Sequence, residues 1–280
     1  MVLDCADLLQ PSSNSRTRGE LSLVEIFGRG FIARNLTTLA DAHPGVVALA
    51  AGVSHVSLLS PRAAFAREAD LVRRVAEDCA RRDRTMVLFS TASAAVYGRP
   101  GCAGDESCDH PPTTPYGTHK LAMERLVARS GCRWLVLRLS HLVGADQPPH
   151  QLVPELTRRV LAGRVRIFRG ARRDVLDVVD FVQIVDALLT AGVRGEIVNV
   201  ASGRSVDVAT IVRHIAGVLG AEPSYEYIQR SSDHQVSTEK LRRLVPSFAE
   251  APDDYFAAVL NRYVPTIARR HAQNCFKVFD

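Results

Sequence analysis

The chain has 280 residues, 46% of them hydrophobic and 23% charged, with a formal net charge of +5. That is enough chain for a full α/β core with a small second lobe, while its longest apolar stretches, such as 46–51 and 197–200, fall far short of the roughly 20 residues that a membrane span needs. The basic excess lies in arginines spread among acids, with no basic run interleaved with aromatics, so no nucleic-acid partner is expected and a small polyanionic ligand accounts for the charge.

Residues 1–20, with Pro11-Ser12-Ser13-Asn14-Ser15, read as a flexible leader to a domain that begins near Leu21. Asp4 and Asp7 lie within it and no charged-then-apolar pattern does, so it carries no secretory signal and a cytoplasmic protein is expected. The six cysteines, Cys5, Cys79, Cys102, Cys108, Cys132 and Cys275, are scattered. Only Cys102 and Cys108 are close, at a spacing unlike common zinc sites, so the expectation is reduced buried or loop thiols and no metal.

Leu23 to Phe27 reads as a strand, followed by Gly28-Arg29-Gly30-Phe31-Ile32-Ala33 and a helix to about Ala42. G-x-G-x-x-A between a strand and a helix is the context that a dinucleotide fingerprint requires. Gly28 permits the tight turn, Gly30 lets backbone approach a pyrophosphate, and Ala33 lets helix and strand pack closely. A glycine turn of any α/β protein has the same pattern. The next strand, Val46 to Gly52, ends about 20 residues past the glycines, where an acid for the adenosine 2′-hydroxyl usually stands; none is there. Arg29 and Arg34 either meet a 2′-phosphate instead, which favours NADP(H) over NAD(H), or are solvated first-turn arginines.

Residues 62–83 form an amphipathic helix with apolar Phe65, Ala69, Leu71, Val72, Val75 and Ala76. Thr85 to Ser90 is a buried strand running into the hydroxyl-rich Thr91-Ala92-Ser93-Ala94-Ala95-Val96-Tyr97-Gly98, and 99–114 is an aperiodic surface loop. Pro115 then opens a helix through Tyr116-Gly117-Thr118-His119-Lys120 to about Ser130. A Tyr and a Lys four apart share one helix face, so the ammonium can stabilise the phenolate and Tyr116 becomes a candidate acid/base. Trp134 to Leu139 is another buried strand, in or beside which Arg138 forms a structural ion pair. Strands alternating with helices predict a parallel, doubly covered sheet. From Pro148 the texture changes: helix 152–161, strand 165–168, Arg172 to Asp180 leading into a helix through Leu189, strand 197–200, helix 206–219, polar 229–234, a short helix opened by Thr238, and a last helix 253–268 for which packing is the default role.

An apolar strand ending in Ser/Thr, a V-Y-G turn, a Pro-rich loop and P-Y-G-x-x-K, in that order, resemble the extended short-chain dehydrogenase/reductases, the sugar-nucleotide epimerase/dehydratase/reductase family. Farther on, an R-D-(three or four apolar)-D segment within Arg172 to Asp180 and N-V-A-S-G at Asn199 to Gly203 match that family's C-terminal half, so the resemblance covers about residues 23–245. It implies a Rossmann-like doubly wound parallel sheet with a smaller C-terminal substrate lobe. The core would be 21–147 plus 174–200, and the lobe 148–173 and 201–280. Ala50-Ala51-Gly52-Val53-Ser54-His55 looks like an Ala-Ala-x-x-Ser-His element that the family places two strands later, so the sheet is expected to be shortened on its adenine side.

By the same resemblance, Ser93, Tyr116 and Lys120 are the catalytic set. Gly28, Arg29, Gly30, Phe31, Ile32, Ala50, Ala51, Gly52 and Ser90, with Tyr116 and Lys120, would contact the cofactor. Ser93 and His141 would meet the sugar, His141 being equally readable as a satisfied local histidine, and Arg173 and Arg230 would meet the phosphates. The family's 4,6-dehydratases follow the polarising residue with Asp-Glu; here Ala94-Ala95 follows Ser93. What remains is reduction of a 4-keto sugar in deoxysugar biosynthesis, favoured by the reduced adenine side, or 4-epimerisation, or a cofactor-poor relative that only binds a sugar nucleotide. The family dimerises through the helices that correspond to 62–83 and 116–130, so a homodimer is expected.

Overall fold

The computed structural model describes residues 24–53, 61–99, 101–229, 235–248 and 251–276; the leader 1–20 and Arg230 therefore lie outside the described residues. Strand β1 (Glu25–Phe27) leads into α1 (Phe31–Leu36), then β2 (Val46–Leu49), α2 (Pro61–Arg81), β3 (Thr85–Thr91) and a one-turn α3 (Ala94–Tyr97). After the loop come α4 (Pro115–Ala128), β4 (Arg133–Leu139), β5 (His141–Val143), α5 (Leu152–Leu161), β6 (Arg164–Phe168) and β7 (Arg172–Asp177). The chain continues with α6 (Val178–Thr190), β8 (Glu196–Val200), β9 (Ser205–Asp207), α7 (Val208–Leu219), β10 (Ser224–Ile228), α8 (Glu239–Leu244) and α9 (Tyr255–Phe276).

The main sheet has the order β1-β2-β3-β4-β8. β1 pairs in parallel with β2, Glu25 opposite Val47, and β2 in parallel with β3, Val46 opposite Thr85. Every residue of β2 and β3 is buried, the pattern of strands covered on both faces, which is why they appear in the sequence as apolar runs. A full dinucleotide fold reverses its strand order beside the first strand, running 3-2-1-4-5-6. Here the order only advances, and among the described residues no strand lies outside β1. That is the shortened adenine side expected from Ala50-Ala51.

Contacts gather the chain into two units, one of residues 1–89, 123–136 and 192–196, the other of 90–122, 137–191 and 197–280. Within the first, α2 buries Leu71, Val72, Val75, Ala76 and Cys79 and turns out pairs such as Arg73 with Asp70. Its Glu68 carboxylate accepts the Val53 amide at 2.9 Å, closing the segment after β2.

In the second unit, α5, α7 and α9 supply Val153, Leu156, Val160, Ile211, Ile215, Leu260 and Val264 to one apolar cluster beside Val165 and Ile167 of β6. The last helix is held by more than packing. Buried Asp177 caps α6 through the Val179 amide (2.9 Å), accepts the Tyr263 hydroxyl (2.8 Å) and pairs with Arg262 (2.6 Å). The three-residue strands β5 and β9, and β10, are additional to those that the sequence pattern predicts. They pair as β5-β7-β9, and as a parallel β6-β10 pair with Arg164 opposite Ser224. Among the described residues, no helix is long and apolar enough to cross a membrane.

One expectation is corrected. Cys102 and Cys108 are not reduced loop thiols but form a disulfide, with their Cα atoms 5.9 Å apart; Cys79 and Cys132 are free and buried. Turns at Gly101 and Gly104, with φ of +82° and +74°, fold the loop back far enough to bring the two Cα atoms within bonding range.

Candidate active site

The glycine turn belongs to the first unit. Gly28 has φ +133°, and a Cβ there would lie 2.6 Å from the Ala50 carbonyl oxygen, so only glycine lets the turn sit on the end of β2. The Ala50 amide in turn donates to the Phe27 carbonyl at 2.8 Å. Gly30 precedes α1 in extended conformation with no side-chain cap, and nothing lies within 4 Å of a Cβ built on it. A bare turn running into a helix start without a side-chain cap fits a phosphate group, because the first amides of a helix have no partner within the helix. Phe31 and Ala33 are buried and Ile32 half-buried, while Arg29 and Arg34 are exposed. Arg34 donates back to the Arg29 carbonyl at 2.9 Å. Ala50 and Ala51 are half-buried and Gly52 exposed.

In the second unit, the chain leaving β3 past buried Ser90 and Thr91 turns at Ser93, which caps α3. The Ser93 amide donates to Thr91 Oγ1 at 3.2 Å, and its Oγ accepts the Ala95 amide at 3.3 Å. With that lone pair engaged, the hydroxyl hydrogen remains available to an outside acceptor. Gly98 ends the turn, where a Cβ would lie 2.3 Å from the Ala94 carbonyl oxygen.

The Tyr116 helix is laid against this turn by its own glycine. Thr114 Oγ1 receives the Gly117 amide at 3.1 Å, and a Cβ on buried Gly117 would stand 2.3 Å from the Ala95 carbonyl oxygen. Thr113 fastens the same seam: its amide donates to the Ala95 carbonyl at 3.0 Å and its hydroxyl to that of Ala94 at 2.9 Å. One turn on, buried Lys120 holds its Nζ 5.7 Å from the centroid of the half-buried Tyr116 ring. Ser93, Tyr116 and Lys120 are thus carried by two pieces of backbone in contact.

A buried polar network that sequence reasoning missed backs the turn. Tyr97, on α3, donates to Asn199 Oδ1 at 2.7 Å and accepts from Arg138 Nη1 at 2.8 Å. Burial pushes the Tyr97 phenol up to about 12, although Arg138 opposes the shift. Asn199 donates through Nδ2 to the carbonyls of Gly104 (2.9 Å) and Ser237 (3.0 Å), and its amide donates to Glu106 (2.7 Å). Arg138, on β4, thus also serves a phenol. The only signals were V-Y-G and N-V-A-S-G, which give no hint that they meet.

The R-D and N-V-A-S-G segments are also joined directly. Buried Asp174 accepts the Ser202 amide at 3.0 Å and its hydroxyl at 2.9 Å. Arg173 is half-buried and folds its Nη1 onto the Arg172 carbonyl at 2.6 Å. His141 opens β5 opposite Val175. Burial raises the Asp174 carboxyl from 3.8 to about 6, against the pull of the two Ser202 bonds. The folded protein therefore holds this proton where the unfolded chain has released it. The stability it contributes is full below the ordinary carboxylate range and is lost as pH rises through about 6. Relative to an Asp174→Asn variant, the wild type should lose up to ~3 kcal/mol of unfolding free energy between pH 4 and pH 7. A difference between the two proteins that stays flat in denaturant titrations across that range would refute it.

Residues 11–201 match the model of the NAD dependent epimerase/dehydratase family. Over 122 residues the chain is 28% identical to the dTDP-D-glucose 4,6-dehydratase of Mus musculus, a match that takes in 41% of this chain and 34% of that protein; it thus spans about a third of that curated relative. Among solved structures, RMD from Pseudomonas aeruginosa complexed with NADPH matches with a TM-score of 0.72 at 19% identity, over 89% of this chain and 99% of that one. DesIV, the dTDP-glucose 4,6-dehydratase of Streptomyces venezuelae with NAD and TYD bound, gives 0.71 at 17% identity, over 86% and 78%. The UDP-N-acetylglucosamine 4-epimerase of Methanobrevibacter ruminantium M1, in complex with UDP-N-acetylmuramic acid, gives 0.69 at 19%, over 84% and 80%. At such identities the likeness is one of fold.

Proposed function

The chain belongs to the NAD dependent epimerase/dehydratase family, and from that membership we propose that it is an NADPH-dependent reductase of the 4-keto group of a nucleotide-activated deoxysugar. The observation that carries this reading is the seam at Gly117, where α4 presses on the Ala95 carbonyl and so keeps a donor hydroxyl, a phenol and a buried lysine on adjoining backbone.

A nicotinamide cofactor, when bound, supplies the hydride. Gly28, Gly30, Phe31 and Ile32 are the residues we assign to its pyrophosphate, Ala50, Ala51, Gly52 and Ser90 to its further contacts, and exposed Arg29 to the 2′-phosphate of NADP(H). Ser93 Oγ, whose lone pair takes the Ala95 amide, gives its hydrogen to the substrate carbonyl oxygen. Tyr116 delivers its phenolic proton to that oxygen as negative charge develops there. The Lys120 ammonium lowers the cost of the phenolate left behind, as an opposite charge does for any anion. His141 is assigned to the sugar, and Arg173 and Arg230 to the nucleotide diphosphate, whose charge calls for more than one cation.

Dehydration is disfavoured because Ala94 and Ala95 carry no carboxylate beside Ser93. Reduction is favoured over 4-epimerisation by the strand order: with no strand outside β1 among the described residues, the adenine half of a cofactor finds less protein to grip. A reductase must release its cofactor every cycle, whereas an epimerase keeps it through an oxidation and a reduction. The same Ser93, Tyr116 and Lys120 would serve an epimerase, which is the second reading. A binder without catalysis is the third.

The test is incubation with NADPH and a panel of nucleotide 4-keto-6-deoxy sugars. One NADPH should be consumed per sugar reduced. Sugar turnover without net NADPH loss would make the protein an epimerase, and nucleotide-sugar binding without turnover would make it a binder. A preference for NADH would remove the Arg29 assignment. In the same assay Arg173→Ala should weaken nucleotide-sugar affinity by ~1.5–3 kcal/mol and leave NADPH affinity unchanged. We also propose a homodimer through α2 and α4 in the cytoplasm; a monomer mass by light scattering at micromolar concentration would contradict the assembly.

A further inference from the structure

The disulfide lies in the loop that joins the Ser93 turn to the Tyr116 helix. Cys102 and Cys108 are half-buried and pack on the cluster of Ala92, Val96, Tyr97, Ala201 and Val236. The ring that they close, six positions around, holds two of the groups that satisfy Asn199. The Gly104 carbonyl accepts Asn199 Nδ2 at 2.9 Å and the Glu106 carboxylate accepts the Asn199 amide at 2.7 Å. Asn199 in turn accepts the hydroxyl of Tyr97, on the helix that Ser93 caps. The ring is itself docked closely. Gly104 also accepts the Ser237 amide at 2.9 Å, and a Cβ on Gly104 would stand 2.0 Å from the Gln235 carbonyl oxygen. Downstream, Thr113 ties the loop to Ala94 and Ala95. The cross-link therefore closes around the first of the two attachments that fix the turn and lies just ahead of the second.

We infer that Cys102–Cys108 is a thiol–disulfide exchange site whose oxidised form orders loop 101–114 and the Ser93 turn and whose reduced form releases them, its co-reactant being a dithiol. A thiolate of the dithiol attacks one cysteine sulfur, the S–S bond breaks, and the other cysteine leaves as a thiolate. The second thiol of the reductant then displaces the mixed disulfide. The protein disulfide is reduced to two thiols, the dithiol is oxidised to its disulfide, and its two protons pass to the cysteines. Neither cysteine is fully buried, so a small dithiol is the reductant suited to reach the bond. Once the ring is open, the loop regains the conformations that the cross-link removed, and the Gly104 carbonyl and Glu106 carboxylate are no longer held against Asn199. A reducing compartment would keep the site in the released form and an oxidising one in the ordered form.

The effect on loop order stands on the geometry alone; the effect on turnover rests on the reductase reading. The full chain is treated with dithiothreitol under native conditions, then alkylated and mapped by mass spectrometry. Hydrogen exchange and NADPH-dependent turnover are followed alongside. Two labels beyond those taken up without the reductant are expected, at Cys102 and Cys108, with buried Cys79 and Cys132 protected. Exchange of the Asn199 amide and of residues 93–97 should accelerate roughly tenfold or more, turnover should fall in parallel, and reoxidation should reverse both. A Cys102→Ser, Cys108→Ser variant should sit at the reduced level and ignore the reductant. The inference is overturned if the link yields only under denaturing conditions, or if exchange at Asn199 and 93–97 is the same in both redox states. If no nucleotide sugar is turned over, the reductase reading fails and the exchange measurement on the wild-type chain still decides this one.

Discussion

Replacing Tyr116 with phenylalanine should leave the fold and NADPH binding intact and lower turnover by roughly 10² to 10⁴, the range for loss of a positioned general acid. The substitution removes one oxygen and keeps the ring, so the stacking of Lys120 Nζ 5.7 Å from the ring centroid persists and the first turn of α4 keeps its Thr114 contact. What disappears is the proton that the reading delivers to the substrate oxygen. Ser93 can still donate a hydrogen bond to that oxygen, which is why residual turnover above the uncatalysed rate is expected. Fluorescence titration with NADPH should return the wild-type affinity, and a wild-type melting curve should accompany it. Undiminished activity in this variant would take Tyr116 out of the chemistry.

The parts of this architecture that were legible in the sequence are those in which local pattern and tertiary role coincide. Strand β3 is buried at every position, so its apolar run could have no other reading, and the Tyr116–Lys120 pair follows from helical spacing alone. The shortened adenine side was legible because Ala50-Ala51 came too soon after the glycines. Other features join residues far apart in the chain and leave no local trace. Tyr97 and Asn199 are 102 positions apart, and Asp177 and Tyr263 are 86 apart. Strands β5 and β9, three residues each, are too short for a period-2 pattern to emerge. The disulfide leaves no mark in the cysteine spacing, because it depends on turns at Gly101 and Gly104 that close the loop.

Gly117 gives the sharpest test of how the site is held together, because the local expectation and the tertiary one have opposite signs. In an exposed helix, glycine to alanine is stabilising by about 1 kcal/mol, since alanine loses less backbone entropy on folding. In α4 the added methyl would stand 2.3 Å from the Ala95 carbonyl oxygen, 2.9 Å from its carbon and 3.1 Å from Pro112 Cβ. That carbonyl is not free to withdraw, because it accepts the Thr113 amide at 3.0 Å. The strain must fall on the helix, which moves away from the Ser93 turn and takes Tyr116 and Lys120 with it. Gly117→Ala should therefore destabilise the protein by ~1–3 kcal/mol, the usual cost of overpacking. It should also lower turnover by roughly 10²-fold, as a displacement of about 1 Å between reacting groups does. The loss should be largest in the chemical step and smaller in NADPH affinity, since of the expected cofactor contacts only Tyr116 and Lys120 move with α4, while the glycine turn at Gly28 and Gly30 belongs to the other unit. Thermal melts together with single-turnover kinetics separate the two effects. A variant that melts higher than wild type and retains its turnover would show that α4 does not rest on Ala95, and the account of how Ser93 and Tyr116 are brought together would fall.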